Sequence, residues 1–191
     1  MTNKSRQVLL AKNLDDGLRE LPTPAAGIGV EHDVNLPRVS RIRLADLEIA
    51  VAAADDFGSA LLLTLPDRNL AIDNVECDLT LVKAGTTNGL VAATDLNVAI
   101  GTVATAAIDH SNANEQDVLE LVLLDTNALS LELETATIAQ TTASMPVLLA
   151  DAADNELYLN VGAVGGITAD DTLAVTGFID IYWRDLGNRA S

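Results

Sequence analysis

The sequence predicts an all-β protein, an eight-stranded antiparallel jelly roll or β-sandwich preceded by an extended N-terminal arm. After about residue 40, apolar and polar residues alternate with a period of two, as in strands with one buried side and one wet side. Short segments rich in Gly, Asn and Asp separate these runs and supply the residues that turns require. Eight such runs in about 150 residues, with no helical period, are typical of a sandwich or barrel, and a jelly roll uses this number of strands.

The first segment, residues 1–39, is predicted to be an arm rather than part of the core. It holds three of the five prolines and has no sustained hydrophobic period. Such a segment buries little apolar surface alone, so we expect it to be extended and to become ordered on a partner. The alternative is a terminus without a role, but the leucines dispersed through it favour an interaction arm. The body is then residues 40–191.

The strands of the body follow in order. Their predicted bounds are 40–52, 58–65, 70–84, 91–105, 118–125, 129–140, 157–164 and 171–184. The runs at 59–65 and 118–125 are apolar on both sides, which indicates burial in the middle of the domain or against another subunit.

The phase of the alternation assigns side chains to faces. Val75, Cys77, Leu79 and Leu81 share one face, so the single cysteine is predicted to be a buried core residue. Asn97 and Asn160 fall on the polar side of their strands. The first strand changes phase near Ala45 and the last contains Gly177, and we expect a β-bulge or a close backbone approach at each.

Charge divides the chain at residue 43, four residues after the end of the predicted arm. The net charge is −17, and a molecule this acidic repels the phosphates that a nucleic-acid-binding protein must neutralise. Residues 1–43 carry seven basic and five acidic side chains, a balance of +2, whereas residues 44–191 carry −19. The sequence contains no run of about 18 apolar residues, so it predicts no membrane span. The sequence therefore predicts a weakly basic arm on a strongly acidic body.

Catalytic signals are weak. The two histidines, His32 and His110, are far apart in the chain and do not form a metal-binding cluster. There is no phosphate-binding glycine loop and no G-x-S-x-G nucleophile motif. Paired carboxylates are so abundant that no pair stands out as a general acid and base. We expect the chain not to be an enzyme and to carry no cofactor.

One loop offers oxygen ligands for calcium. Asp151, Asp154, Asn155 and Glu156 lie close together in the sequence, but they lack the spacing and the glycine of an EF-hand. A specific calcium site is therefore left open as the weaker alternative.

Three segments carry a resemblance to a known family. They are AIDNVECDLTLVKAG (71–85), AATDLNVAIGTVATAA (92–107) and LYLNVGAVGGITADDTLAVTGFIDIYWRDLG (157–187). In their order, residues 69–187 are similar to the decoration, or cement, proteins of tailed-bacteriophage capsids, some of which are jelly rolls. No catalytic signature contributes to the likeness.

The resemblance implies a structural role. Such proteins sit on the outside of the shell, commonly as homotrimers, and clamp neighbouring major capsid subunits. It therefore implies a virion protein that is made in the host cytoplasm and has the major capsid protein as its partner. The arm is expected to lie along the capsid or a neighbouring protomer, where arginines pair with carboxylates. The expected partner-binding residues are Arg6, Leu9, Leu10, Arg19, Arg38, Arg41 and Arg43.

Two other classes of function stay open. The long arm departs from the family pattern and fits equally well a receptor- or glycan-binding module of a phage tail or fibre base. A small β-sandwich hydrolase would need acids that converge in a cleft.

Overall fold

A computed structural model describes residues 23–24, 29–33, 38–85, 89–90, 94–124, 136–141, 146–149 and 155–187. Over these ranges the chain forms eleven strands and one 3₁₀ turn, Ala113–Glu115. The strands are β1 (Thr23–Pro24), β2 (Gly29–Asp33), β3 (Arg38–Val51), β4 (Phe57–Thr64), β5 (Asn69–Lys83), β6 (Asp95–Gly101), β7 (Leu119–Leu124), β8 (Ala136–Thr141), β9 (Val147–Leu149), β10 (Glu156–Val164) and β11 (Asp171–Gly187).

The strands pair antiparallel in two sheets. Sheet A has the order β1-β4-β10-β6-β7, and sheet B has the order β2-β3-β11-β5-β8, with β9 also paired to β5. The predicted all-β sandwich is confirmed. Of the eight longest strands, each sheet holds four, and these eight, taken in chain order, change sheet at every step except β6 to β7. This alternation favours the jelly roll, which stays a prediction.

The core lies between the sheets and follows the predicted alternation. Val75, Leu79 and Leu81 of β5 are fully buried, and Cys77 is buried with them as predicted. Burying one side chain of this kind contributes about 1.5–3 kcal/mol. Trp183 is among the largest fully buried side chains, and its indole N–H donates to Ser40 Oγ at 2.9 Å.

The two predicted irregularities form one bulge. Val175 lies opposite Leu47 and Gly177 opposite Leu44, so one residue of β11 faces the two residues Ala45 and Asp46 on β3. Gly177 has φ +128°, and a Cβ there would lie 2.0 Å from the Asp78 carbonyl oxygen of β5. The close approach of β5 therefore requires glycine at this position.

Several element bounds differ from the prediction. In the described part of the strand expected at 91–105, residues 94–105, the strand is Asp95–Gly101, and β9 was not predicted. Of the strand expected at 129–140, the described part is Ala136–Thr141.

Two short pieces of the predicted arm pair with the body. β1 pairs with β4 of sheet A, and β2 pairs with β3 of sheet B. The sheets thus begin before residue 40. The boundary at residue 39 and the extended state of the rest of the arm stay predictions, since most of the arm lies outside the described residues.

Residues 102–118, here called the outer loop, fold back over the outside of sheet A. Asn97 of β6 and Asn160 of β10 are buried beneath it, so the prediction that they face solvent is wrong. The cover is close because β10 has glycine at position 162, where a Cβ would lie 2.2 Å from the Ile108 carbonyl oxygen of the loop. The sandwich therefore has a third layer at this place.

Candidate partner-binding face

The outer side of sheet B gathers the charged and aromatic residues of three adjacent strands. At one level of the register, Arg41 of β3, Asp180 of β11 and Glu76 of β5 lie side by side. Two residues along, the same strands align Arg43, Phe178 and Asp78. These six residues and Tyr182 are called the sheet B face.

Arg41 is the organising side chain of this face. Its guanidinium donates two hydrogen bonds to the Asp180 carboxylate, from Nε to Oδ1 at 2.7 Å and from Nη2 to Oδ2. The same guanidinium lies 4.7 Å from the centre of the Phe178 ring. Asp180 is only 3% exposed, so this planar, two-pronged pairing compensates a carboxylate withdrawn from water. The two-pronged hydrogen bonding that Arg41 was predicted to offer a partner is thus used within the chain, by Asp180.

Tyr182 and Glu76 extend the network toward β5. The Tyr182 hydroxyl donates to Glu76 Oε2 at 3.2 Å, and Asn74 Nδ2 donates to Glu76 Oε1 at 3.4 Å. Burial and then the nearby Glu76 carboxylate raise the pKa of Tyr182 above its ordinary value, so the hydroxyl keeps its proton and remains a donor.

A second two-pronged pair joins β11 to β5. Arg184 Nε and Nη2 each lie 2.6 Å from an oxygen of Asp73. These hydrogen bonds lower the pKa of Asp73. The pair is solvent-exposed, so its contribution to stability is small.

The other predicted arginines are distributed in three ways. Arg43 is exposed on the sheet B face. Arg38 lies on the opposite side of β3, where its guanidinium is 5.0 Å from the centre of the Trp183 ring. The structure therefore groups Arg41 with Arg43 and separates Arg38 from both. The remaining predicted residues, Arg6, Leu9, Leu10 and Arg19, lie outside the described residues.

The runs predicted to be apolar on both sides differ in exposure. In β4, Leu62 and Leu63 are fully buried. In β7, which ends sheet A among the described strands, Leu123 is 54% exposed and Val122 is half-buried. A contact with another subunit through β7 stays a prediction.

The acidic loops at one end of the sandwich hold backbone amides. Asp56 Oδ1 accepts from Ile167 N at 2.7 Å, and Asp170 Oδ1 accepts from Ala53 N at 2.8 Å. Asp171 Oδ2 accepts from Leu90 N at 2.9 Å and lies 3.8 Å from the Lys83 ammonium. The open depression beside them is lined by Ala50, Val51, Ala52, Gly85, Asp170, Asp171 and Thr172. These carboxylates fasten turns to strand ends, and of the three only Asp171 is buried.

The candidate calcium loop is only partly described. Asp151 and Asp154 lie outside the described residues. Glu156 Oε2 accepts the Tyr158 hydroxyl, a hydrogen bond that raises the pKa of Tyr158 to about 12. Within the described ranges, no group of three or more His, Cys, Asp or Glu side chains could hold a metal ion.

His110, the histidine of the outer loop, is fully buried. Its Nδ1 lies 2.8 Å from Thr105 Oγ1, and its Nε2 lies 3.3 Å from the Asn97 carbonyl oxygen. Both ring nitrogens are thus engaged inside the protein. The imidazole is placed to fasten the loop to β6 rather than to meet a substrate.

No protein family matches the chain, and no curated protein is detectably related to it. In the part of the chain that the structure describes, no helix is long and apolar enough to cross a membrane. Any function must therefore be argued from the residues and their geometry.

Proposed function

We propose that this chain is a structural virion protein that binds the outside of a tailed-phage capsid and stabilises contacts between major capsid subunits. The observation that carries the proposal is the pairing of β2 with β3. Gly29–Asp33 of the arm lies in register with Val39–Arg43, so the arm joins the body along the strand that bears the arginines.

The distribution of charge supports attachment through this side. Glu31 of β2 lies opposite Arg41 in the register, and Gly29 lies opposite Arg43. The exposed Arg43 therefore adjoins the arm, whose sequence together with the start of β3 carries +2, while the remainder carries −19. A body this acidic is repelled by other acidic surfaces, so the less acidic side is the one suited to contact a shell.

The homotrimer belongs to the same proposal. β7 offers the exposed Leu123 and the half-buried Val122 at the end of sheet A. Because an oligomer interface resembles a hydrophobic core cut in half, this strand is the proposed contact between protomers.

Cosedimentation with emptied capsids of a phage that carries this gene tests the proposal. The full chain is compared with residues 23–191, which keep both β1 and β2, and with Arg43→Glu in the full chain. Arg68→Glu, the same charge reversal in the β4–β5 turn, is the matched control. We expect the full chain and the control to pellet with capsids, and the truncated and Arg43→Glu chains to be released at lower salt. A full chain that stays in the supernatant at every salt concentration contradicts the proposal.

A receptor- or glycan-binding module is the second candidate. One observation favours it: Phe178 and Tyr182, two of the chain's five aromatic residues, lie on the sheet B face beside carboxylates. Aromatic rings with neighbouring acceptors can bind sugar rings. Binding to host cells or polysaccharide that is lost in Tyr182→Ala would favour this candidate over the capsid.

A further inference from the structure

Asn160 of β10 makes three hydrogen bonds to the outer loop. Asn160 Oδ1 accepts from Thr105 N at 3.0 Å, and its Nδ2 donates to the carbonyl oxygens of Val103 at 3.0 Å and Glu115 at 2.8 Å. The ends of the loop are joined by Thr102, whose N and Oγ1 each donate to Asp117 at 2.9 Å. The loop is therefore a defined, hydrogen-bonded unit.

A titratable group lies at the centre of this unit. His110 is fully buried and reaches Thr105 Oγ1 through Nδ1. The same hydroxyl oxygen lies 2.8 Å from the Ala107 carbonyl oxygen. With a neutral ring, the hydroxyl donates to Nδ1. With a protonated ring, Nδ1–H donates to the hydroxyl oxygen, and the hydroxyl turns to Ala107. The hydrogen bonds therefore accommodate a proton, but the charge of the protonated ring is costly to bury.

Glu115 makes the closed loop less stable than its hydrogen bonds suggest. Its Oε1 accepts from Ala106 N at 2.7 Å. Its Oε2 is buried and has no hydrogen-bond partner among the described residues. An acceptor left unsatisfied costs about 1–3 kcal/mol. This cost lowers the free energy needed to open the loop.

The charged groups that act on His110 are few. From the loop itself, the carboxylates of Glu115 and Asp109 favour its protonated form. From β6, the contact is the uncharged carbonyl of Asn97, and from β10 the neighbouring polar side chain is Asn160. Burial is the larger effect and lowers the pKa of His110 below its ordinary value of 6.5.

We propose that the outer loop is an acid-released latch: protonation of His110 loosens the loop from sheet A and uncovers the strip formed by Asn97, Ala99, Asn160 and Gly162. The histidine binds a proton more tightly when the loop is open than when it is closed. Closure is thus fully favoured above about pH 6.5. It weakens as the pH falls toward the lower pKa that His110 has in the closed loop. One proton changes the opening constant by at most about tenfold per pH unit.

Amide hydrogen exchange at pH 7.5 and pH 5.0 tests the latch, together with an NMR titration of the two imidazoles. The reporters are the amides of Thr105 and Ala106, which bond to Asn160 and Glu115. We expect the protection factors of both amides to fall severalfold or more at the lower pH and the His110 ring to titrate below 6.5. His32→Gln, which removes the other histidine, is the matched control and should leave the fall unchanged.

Two variants distinguish the latch from a loosening of the whole fold at low pH. His110→Gln should abolish the fall in protection between the two pH values. Glu115→Gln removes a charge that favours the protonated ring in the closed loop and so lowers the pKa of His110 there. The fall in protection should begin at the same pH, continue to lower pH than in the wild type and become deeper. If His110→Gln does not fold, the deeper fall in Glu115→Gln and the wild-type titration decide. Equal protection at both pH values, or an equal fall in His110→Gln, would overturn the proposal.

Discussion

Asn160→Ala tests whether one side chain holds the outer loop on sheet A. The substitution removes three hydrogen bonds, to Thr105 N and to the carbonyl oxygens of Val103 and Glu115. At about 1 kcal/mol each, their loss lowers the free energy of unfolding by about 3 kcal/mol. Asn97→Ala is the matched control on the adjacent strand, since its side chain makes one such bond, Nδ2 to the Ile108 carbonyl oxygen at 2.9 Å. Its expected cost is about 1 kcal/mol.

Urea unfolding followed by far-ultraviolet circular dichroism measures both variants against the wild type. The ratio of the two losses is the quantity of interest, because both variants remove an asparagine from beneath the same loop. A loss in Asn160→Ala no larger than the loss in Asn97→Ala would refute the reasoning. It would mean that water, or a shift of the loop, satisfies the three released backbone groups.

Two further predictions concern ionised side chains. Arg41→Ala leaves the buried Asp180 carboxylate without its guanidinium and is expected to lower the free energy of unfolding by about 2 kcal/mol. Arg43→Ala, at an exposed position of the same strand, is expected to change it by less than about 0.5 kcal/mol. Equal losses of the two variants in chemical denaturation would contradict this. The hydrogen bond to Glu156 raises the pKa of Tyr158 from 10.0 to about 12, so the stability it contributes is present below pH 10 and is lost as pH rises toward about 12. In Glu156→Gln, phenolate absorbance should develop closer to pH 10, and an unchanged titration would contradict the pairing.

The sandwich and its core could be predicted because they depend on local alternation. The phase of Val75 to Leu81 places the buried side of β5 without knowledge of its neighbours. The phase change near Ala45 and the glycine at 177 each indicate a bulge, but only strand pairing reveals that they are the same bulge.

The outer loop could not be predicted in this way. Alternation identifies the side of a strand that faces away from the core, but it does not tell whether another segment covers that side. A local signal was present, since Ala99 and Gly162 put small residues where a solvent-facing strand usually carries longer polar ones. Small residues beside Asn97 and Asn160 leave room for a backbone and offer amides to bind it.

The sheet B face was predicted in part. The odd numbers of Arg41 and Arg43 assign them to one side of β3, and the even numbers of Phe178, Asp180 and Tyr182 assign these to one side of β11. The hydrogen bonds between Arg41 and Asp180 span 139 residues of sequence and follow only from the adjacency of β3 and β11. The alternation therefore places these side chains on the outer sides of their strands, but it does not reveal the ion pair that occupies Arg41.

The position of Trp183 gives this protein an intrinsic optical probe. It is the only tryptophan of the chain, it is fully buried, and its ring lies beside Arg38, where β3 begins after the arm. Indole emission depends on the polarity around the ring and on nearby charge. A partner that pulls on the arm or displaces Arg38 will therefore change the fluorescence of the unlabelled protein, so attachment can be followed in real time without adding a dye.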